Sequence, residues 1–489
     1  MAKKSLKERT TIGIFWNFLE KFSVSAGQFV IGIVLARLLV PEDFGLIGML
    51  SIFIAISQTF IDSGMGSGLI QKQEKSINDY STVFVFNLLV SGAAYLILFF
   101  SAPFIADFYQ RPILVPLTRS LSLVLILGAL SIIQRTKLTI DMDFKTHAKV
   151  NSISLILGGG LGIITALYGY GVWALVVKTL LISGLQTIGY WMVGNWSLSF
   201  QFSKRSFREL FGYGSNLLAA SLYAQLLSEL YNIVIGRAYN AVELGYYTQM
   251  KKTGDIVAST ITSVIRQVTF PLLASLQKDK VRLVSIFRRT IKMVAFVIIP
   301  TMTLLALLAE PLIIFLLGNK WQPVAPLLQL YCIAKLFYPM LTINLNILKA
   351  TGRSDLFLKI DLIKFPLLIG TLLVTVPISV KAMVIGQIFV VLISSYMNCY
   401  YSGKYFNYGY LKQVKDMAPF IVATAGMGIV VFVALLNIDS NALKLLTGIP
   451  VGLITYTAIA YFMKLEEVNE FKYLIHNFLL KKLDNNRNG

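Results

Sequence analysis

The chain is poor in the residues that soluble chemistry depends on. It holds two cysteines and two histidines in 489 residues. Cys332 and Cys399 lie in apolar runs and no Cys-x-x-Cys spacing occurs, which excludes a disulfide scaffold and a thiol redox motif. His147 and His476 sit in basic segments and cannot by themselves hold a metal, so no metal ligands are expected. Charge is scarce: 14% of residues, against about 25% in a soluble domain. Acids are scarcer than bases, 24 against 44. A phosphate loop is also missing. Gly64-Met65-Gly66-Ser67-Gly68 follows no strand and ends in no Gly-Lys-Ser/Thr, so it reads as a bend or close-packing site in a helix. Gly158-Gly159-Gly160-Leu161-Gly162 reads as a helix-packing face. ATP hydrolysis is therefore not the expected energy source.

What is abundant is apolar surface. Hydrophobic residues make up 56% of the chain and the mean hydropathy is +0.70. That combination describes a polytopic membrane protein, because a spanning helix needs about 20 mostly apolar residues. Fourteen segments qualify: 12–39, 44–69, 81–106, 113–134, 150–168, 171–194, 214–236, 251–275, 291–317, 324–348, 358–377, 380–401, 418–437 and 443–463. The first begins after a charged stretch containing Lys3, Lys4, Lys7, Glu8 and Arg9. It is too long for a signal-peptide core and carries Glu20 and Lys21, so it reads as a spanning helix rather than a cleaved signal.

Basic residues set the orientation. With the N-terminus inside, the inner segments collect Arg135, Lys137, Lys145, Lys149, Lys204, Arg205, Arg208, Arg288, Arg289 and most other cations, whereas the outer connections hold Arg111, Lys320, Lys381 and Lys444. This asymmetry predicts both termini in the cytoplasm and accounts for the net charge of +20 without nucleic acid. The segment from Ser203 to Tyr213 alternates basic and apolar residues at helical spacing and is expected to be a short amphipathic helix on the inner leaflet.

The chain also repeats itself. Arg37, Asp43 and Gly45 align without a gap with Arg237, Glu243 and Gly245. Further matches follow in order at offsets of 200 to 212 residues, including Ala102-Pro103-Phe104-Ile105 with Glu310-Pro311-Leu312-Ile313 and Met142-Asp143 with Ser354-Asp355. The predicted fold class is therefore all-α integral membrane, with two pseudo-symmetric six-helix lobes and a C-terminal helix pair, about fourteen transmembrane helices in all. The expected segments are 1–202 for the N-lobe, 203–403 for the C-lobe, and 404–489 for the last two spans and a basic tail. Parallel repeats of this kind suit a transporter. Asp43 and Glu243 suit helix first turns, and Arg37 and Arg237 suit the preceding C-termini. An Arg–carboxylate clamp across each turn and a direct substrate role for the two arginines both fit this pattern.

Leu35-Ala36-Arg37-Leu38-Leu39-Val40-Pro41-Glu42-Asp43-Phe44-Gly45, then Asp62-Ser63-Gly64 and Leu69-Ile70-Gln71-Lys72, resembles the polysaccharide-exporter branch of the MOP flippase superfamily. Phe104-Ile105-Ala106-Asp107-Phe108-Tyr109, Met142-Asp143-Phe144-Lys145 and Gly171-Val172-Trp173-Ala174-Leu175-Val176 support it. The chain is most similar to Wzx-type flippases of lipopolysaccharide, colanic-acid or teichuronic-acid repeat units. The resemblance implies a central cationic cavity and transport of an undecaprenyl-pyrophosphate-linked oligosaccharide across the bacterial cytoplasmic membrane. It also implies cavity arginines on the eighth span and the first.

Charges inside spans should mark the path, because burying them in lipid is costly. A diphosphate needs cations, and guanidinium suits it by bidentate bonding. Arg266 in mid-span eight is the first candidate ligand and Lys21 the second; Lys178, Lys335, Arg37 and Arg237 complete the set. Lys178 and Lys335 lie nearer span ends and are equally expected to snorkel. Asp62, Glu229 and Glu20 are candidates either for a coupling H⁺ or Na⁺ or for buried ion pairs, for example Asp62 with Arg266. Asn17, Gln28, Gln58, Asn216, Gln225, Tyr223 and Asn232 could line a sugar path or bond between helices. No cofactor beyond a coupling ion and no enzymatic activity is expected. The expected partners are the lipid-linked oligosaccharide, membrane lipid and a polysaccharide polymerase. The competing readings are a multidrug or cation antiporter of the same superfamily and a membrane enzyme of polysaccharide assembly. An acidic cavity would favour the former, and a large external loop or membrane metal ligands the latter.

Overall fold

The computed structural model describes residues 6–62, 64–194, 200–276, 279–351 and 353–470. Within helices some side chains fall outside the description, those of residues 259–272, Asn17 and Asn216 among them. Among the described residues every regular element is helical. The order is α1 (Leu6–Leu38), α2 (Pro41–Asp62), α3 (Met65–Gln71), α4 (Ile77–Tyr109), α5 (Leu114–Leu121), α6 (Leu123–Ile140), α7 (Phe144–Leu167), α8 (Trp173–Val193), α9 (Lys204–Ala238) and α10 (Ala241–Ser275). There follow α11 (Lys280–Leu307), α12 (Ala309–Leu317), α13 (Val324–Lys335), α14 (Tyr338–Ala350), α15 (Ser354–Thr375), α16 (Val380–Phe406), α17 (Tyr410–Leu435) and α18 (Asn441–Phe462). In lipid the backbone has no water to bond, and a helix satisfies it internally.

Polar side chains mark the helix starts. Ser76 and Asp79 form a reciprocal capping box on α4. Asp143, Ser203 and Ser379 accept from the amides of Thr146, Ser206 and Ala382. The apolar surplus of the sequence is spent outward as well as inward. Phe100, Phe104, Leu373, Ile429 and Leu453 are all exposed, as side chains that face acyl chains should be. Among the described residues, eleven helices or helix runs are long and apolar enough to cross a membrane, or twelve if α13 and α14, bent by 42°, count as one span. Helices α10 and α15 occupy two more of the fourteen expected positions but are not among these. Both carry charge along their length: Lys251, Lys252, Asp255 and Arg266 lie on α10, and Asp355, Lys359, Asp361 and Lys364 on α15.

By its contacts the chain divides into a unit of residues 1–248 and a unit of residues 249–489. In the first, α9 packs along α2, and α7 packs between α1 and α8. The glycine run of α7 is the packing face expected of it. A Cβ on Gly158 would lie 2.7 Å from the Ile182 side chain, and one on Gly162 would lie 2.6 Å from Lys178 Cβ. The glycines after α2 make the expected bend. Gly64 has φ +70°, and its missing Cβ leaves room for the backbone of Gly214 on α9, whose Cα would be 2.7 Å away. The expected short amphipathic helix differs in one respect. Residues 204–213 are not a separate element but the first turns of the 35-residue α9, because Phe207, Leu210 and Phe211 pack into the cluster of Met65, Leu69, Val83, Phe84 and Ile133.

The repeat around Arg37 and Arg237 has a direct spatial counterpart. The first turns of α2 and α10 cross each other. A Cβ on Gly45 would penetrate the Ala241 carbonyl, and a Cβ on Gly245 would penetrate the Pro41 carbonyl. The two contacts are reciprocal, at positions 200 residues apart in sequence. Gly48 lies against Leu244 and Thr248, and the Tyr231 and Tyr247 rings stack at 6.0 Å between centroids.

In the second unit, α17 and α18 pack on each other, and α17 packs along α11. Arg288 makes a two-pronged contact with Asp416, at 2.5 and 2.6 Å, and the Tyr408 hydroxyl donates to the same carboxylate at 2.8 Å. Lys292 pairs with Glu467, Arg289 with Glu470, and the Tyr456 hydroxyl donates to the Phe296 carbonyl. Burial and the bond to Asp416 together push the Tyr408 phenol far above its ordinary value. Deeper in this unit the side-chain amides of Asn344 (α14) and Gln413 (α17) bond each other reciprocally at 2.9 Å. The Cys399 thiol donates to Gln413 at 3.2 Å, and Cys399 and Cys332 are both buried and free.

The crossing of α2 and α10 tolerates no side-chain atom. Gly45→Ala or Gly245→Ala should lower stability by at least about 1–3 kcal/mol. Thermal denaturation of the detergent-purified protein should show a melting temperature reduced by several degrees for each, with Gly92→Ala, where a Cβ meets nothing within 4 Å, as the unaffected reference.

Candidate functional site

Most of the charged candidates are held by specific neighbours. Arg37 and Arg237 occupy the last turns of α1 and α9, and Glu42, Asp43 and Glu243 the first turns of α2 and α10, as the helix dipoles favour. Asp43 accepts from the Val40 amide at 3.1 Å and Asn240 from the Glu243 amide at 2.9 Å, so both turns are capped. The cation bonded to Glu42 is Arg111, at 3.0 Å. The Arg237 guanidinium lies 5.5 Å from the centre of the Phe108 ring. A cation–π contact at Arg237 and an ion pair between Glu42 and Arg111 are thus among the contacts at these turns.

Glu20 and Lys21, neighbours on α1, diverge as the 100° step of a helix requires. Lys21 is exposed, and Glu20 is half-buried. The Glu20 carboxylate accepts from Asn151 at 2.6 Å. The other end of that amide accepts from Gln186 at 3.1 Å and from the Tyr190 hydroxyl at 3.0 Å. Tyr190 in turn lies 3.0 Å from His147 Nδ1, and His147 Nε2 lies 3.3 Å from Thr139 Oγ1. An unbroken run of polar atoms thus joins α1, α7, α8 and α6. His147, which the sequence places in a basic segment, is 4% exposed and central to this run. The signal that could have shown this is helical spacing: His147 and Asn151 are one turn apart on α7.

Glu229 lies between α9 and α2. Its Oε2 accepts from Ser51 at 2.7 Å and from Asn232 at 2.6 Å. Asp62 ends α2, is exposed, and accepts from Gln58 at 3.1 Å. Lys178 is half-buried on α8, with its stem over Gly162. Arg266 lies on α10, but its side chain is outside the described residues, as are Asn17, Asn216, His476 and the basic tail residues Lys472, Lys481, Lys482 and Arg487.

Lys335 has the most closely built surroundings. It is the last residue of α13, at the 42° break before α14. Its ammonium lies 2.7 Å from Asp255 Oδ1 and 4.8 and 4.9 Å from the centres of the Tyr331 and Tyr338 rings. The Tyr331 hydroxyl donates to the same carboxylate oxygen at 2.8 Å. A snorkelling lysine would leave its ammonium free; this one is enclosed by two rings and a carboxylate. Asp255 was not among the sequence candidates because it follows Lys251 and Lys252 and reads as part of a charged helix end. It lies three turns from Arg266, at nearly the same register of α10. The close approach of Tyr331 to α10 depends on Gly254, where a Cβ would fall 2.6 Å from the ring.

Asp255→Asn and Lys335→Met should each cost about 1–3 kcal/mol, since each leaves a partly buried partner unsatisfied. The double variant should recover part of that loss, with a coupling of about 0.5–3 kcal/mol in a double-mutant cycle of thermal stability. Strict additivity would show that the pair has no mutual energy.

Comparison with known proteins places this arrangement. A family model described as "Polysaccharide biosynthesis protein" matches residues 34–326. The chain is 26% identical over 354 residues to the teichuronic acid biosynthesis protein TuaB of Bacillus subtilis (strain 168), covering 72% of this chain and 73% of that one. It is 23% identical over 372 residues to the lipopolysaccharide biosynthesis protein WzxC of Escherichia coli (strain K12), covering 76% of each. It is 24% identical over 344 residues to the succinoglycan biosynthesis transport protein ExoT of Rhizobium meliloti (strain 1021), covering 70% of each. The fold is shared with an inward closed lipid II flippase MurJ, at TM-score 0.72 and 16% identity over 92% of this chain and 99% of that one. It is shared also with an inward-facing multidrug resistance MATE family transporter of the MOP superfamily, at TM-score 0.62 and 15% identity over 81% and 95% of the two chains. A multi-pass helical bundle with this family match over more than half its length belongs to the polysaccharide biosynthesis protein family.

Proposed function

We infer that this protein is a Wzx-type flippase that moves undecaprenyl-pyrophosphate-linked oligosaccharide repeat units across the bacterial cytoplasmic membrane. The observation that carries the reading is the family match over residues 34–326 on a bundle whose fold is that of a lipid II flippase. The relatives are named for polysaccharide biosynthesis and transport, and the reading as a transporter rather than an enzyme follows them. Fourteen crossings are its finer form: two six-helix lobes over 1–202 and 203–403, then a helix pair and tail, with both termini in the cytoplasm. The basic inner segments support that orientation.

In this mechanism the diphosphate rests on cations, the lipid tail stays in the bilayer and the glycan occupies a wet cavity. Arg266 and Lys21 are the first ligands, with Lys178, Lys335, Arg37 and Arg237 around them. Lys335 already carries a carboxylate partner, so an arriving diphosphate replaces Asp255 as its counter-ion. The lobes then rock and expose the cargo on the other side. Such a cargo implies a polymerase acting downstream of the same membrane.

Coupling to protons is supported by the polar run in the first unit. Chains of acids, histidine and hydroxyls inside membranes serve as proton relays. Here Glu20 opens the run, His147 lies within it and Thr139 closes it, and the charges acting on Glu20 and His147 are Arg135, Lys21 and Asp143.

Two outcomes are expected. In vesicles whose outer leaflet is probed with a membrane-impermeant lectin, loss of the protein should trap repeat units on the cytoplasmic face. Arg266→Ala at normal membrane level should do the same, while Arg266→Lys should retain part of the activity; full activity of the alanine variant would remove Arg266 from the site. Glu20→Gln should reduce flipping driven by an imposed pH gradient by about tenfold or more. Unchanged gradient dependence would remove Glu20 from the coupling path.

A further inference from the structure

The basic turns that open α9 form a second cationic feature, distinct from the intramembrane charges. The apolar stretch of α9 that can cross a membrane is Leu218–Ala238, so Lys204–Arg208 lie two and a half turns or more ahead of it. One side of these turns is fixed. Phe207, Leu210 and Phe211 pack in the cluster around Met65, Leu69 and Phe84, and Phe207 and Phe211 stack at 5.2 Å between ring centres. The opposite side lines an open cavity of about 500 Å³ whose walls are Lys204, Arg205, Arg208 and Glu209. Lys204, Arg205 and Arg208 are all exposed.

Among the described residues the one acid lining the cavity is paired. Glu209 pairs with Lys72 at 3.0 Å, and Lys72 also reaches Asp79 at 3.1 Å. Burial pushes the Lys72 ammonium down, but its bonds to Glu209 and Asp79 outweigh this and hold it above its ordinary value. Among the described residues no ion pair engages Lys204, Arg205 or Arg208. Three unpaired cations therefore share one concavity. In the stretch just before these turns Phe200 is 68% exposed and Phe202 is 47% exposed, with their rings edge-on to Phe84 and against Phe207. Exposed aromatics within a few residues of an exposed cationic set suit the boundary between headgroups and acyl chains, where an amphipathic surface lies in the plane of the membrane.

We propose that this cavity binds the phosphate headgroup of an anionic phospholipid, with Lys204, Arg205 and Arg208 on the phosphate and Phe200 and Phe202 against the first methylenes of the acyl chains. Charge complementarity selects an anionic over a zwitterionic lipid, and the two aromatics select a lipid over free phosphate. The site holds the start of α9 at the membrane surface. It is independent of the flippase reading, and its test involves no transport.

The full-length protein in a neutral detergent is titrated separately with phosphatidylglycerol, phosphatidylcholine, undecaprenyl diphosphate and inorganic pyrophosphate, and bound molecules are counted by native mass spectrometry. Each cation near an anionic lipid contributes about fivefold, so K204Q/R205Q/R208Q should weaken phosphatidylglycerol binding by roughly a hundredfold. Phosphatidylcholine binding should not change. The charge-preserving K204R/R205K/R208K variant should retain most of the binding. The single change Arg208→Gln, with a loss of about fivefold, serves if the triple variant does not fold. Equal retention of phosphatidylglycerol and phosphatidylcholine by the unaltered protein would overturn the proposal, as would undiminished phosphatidylglycerol binding by the glutamine variants. Displacement of phosphatidylglycerol by undecaprenyl diphosphate at far lower concentration would overturn it too, by assigning the cavity to cargo. Displacement by inorganic pyrophosphate alone at equal concentration would reduce it to a generic anion site and likewise overturn it.

Discussion

The close crossing of α2 and α10 is the constraint on which the organisation of the chain depends. Two helices can approach to backbone contact only where neither carries a side chain, and here each supplies one glycine against the other's first carbonyl. Arg37, Asp43 and Gly45 recur as Arg237, Glu243 and Gly245 because both halves of this crossing need the same three things. A cation ends one helix, an acid starts the next, and a glycine admits the partner. Without the approach, Gly48 and Gly236 would not meet their neighbours, Leu244 and Met49, and α9 would not run beside α2.

Several carboxylates on the spanning helices have hydrogen-bond donors beside them. Glu20, Glu229 and Asp255 each accept from a nearby amide, hydroxyl or ammonium. Taking a charge away from both water and a partner is costly, so charges that persist within a span tend to be paired. Lys335 illustrates this. Its carboxylate, its two tyrosine rings and the break in its own helix come from α10, α13 and α14, and any movement among these changes what the ammonium touches.

Much of this was legible in the sequence. The all-helical membrane fold, the bend at Gly64, the packing glycines of α7 and the capped turns follow from hydropathy and from residues whose local preferences are strong. The tertiary partners were not legible. Nothing in the order of residues says that Asn151 meets Glu20, or that Asp255 meets Lys335 from a helix 80 positions away. Asp255 was overlooked because two lysines precede it, and a cluster of charge reads as a helix end. His147 reads as part of a basic segment, with Lys145 and Lys149 near it, yet on α7 it falls on a different face from these lysines. The amphipathic turns of α9 read as a separate helix because basic and apolar residues alternate there ahead of the apolar span; packing of Phe207, Leu210 and Phe211 joins them to α9.

The two thiols have a further consequence. Cys332 is enclosed within α13, and Cys399 is held by the paired amides of Asn344 and Gln413. Neither presents sulfur to a reagent arriving from water or from the bilayer. The folded chain is therefore a dark background for thiol-directed spectroscopy: a pair of cysteines placed at exposed positions of the bundle would be the only reactive sulfurs, and the distance between them could be followed while the protein works.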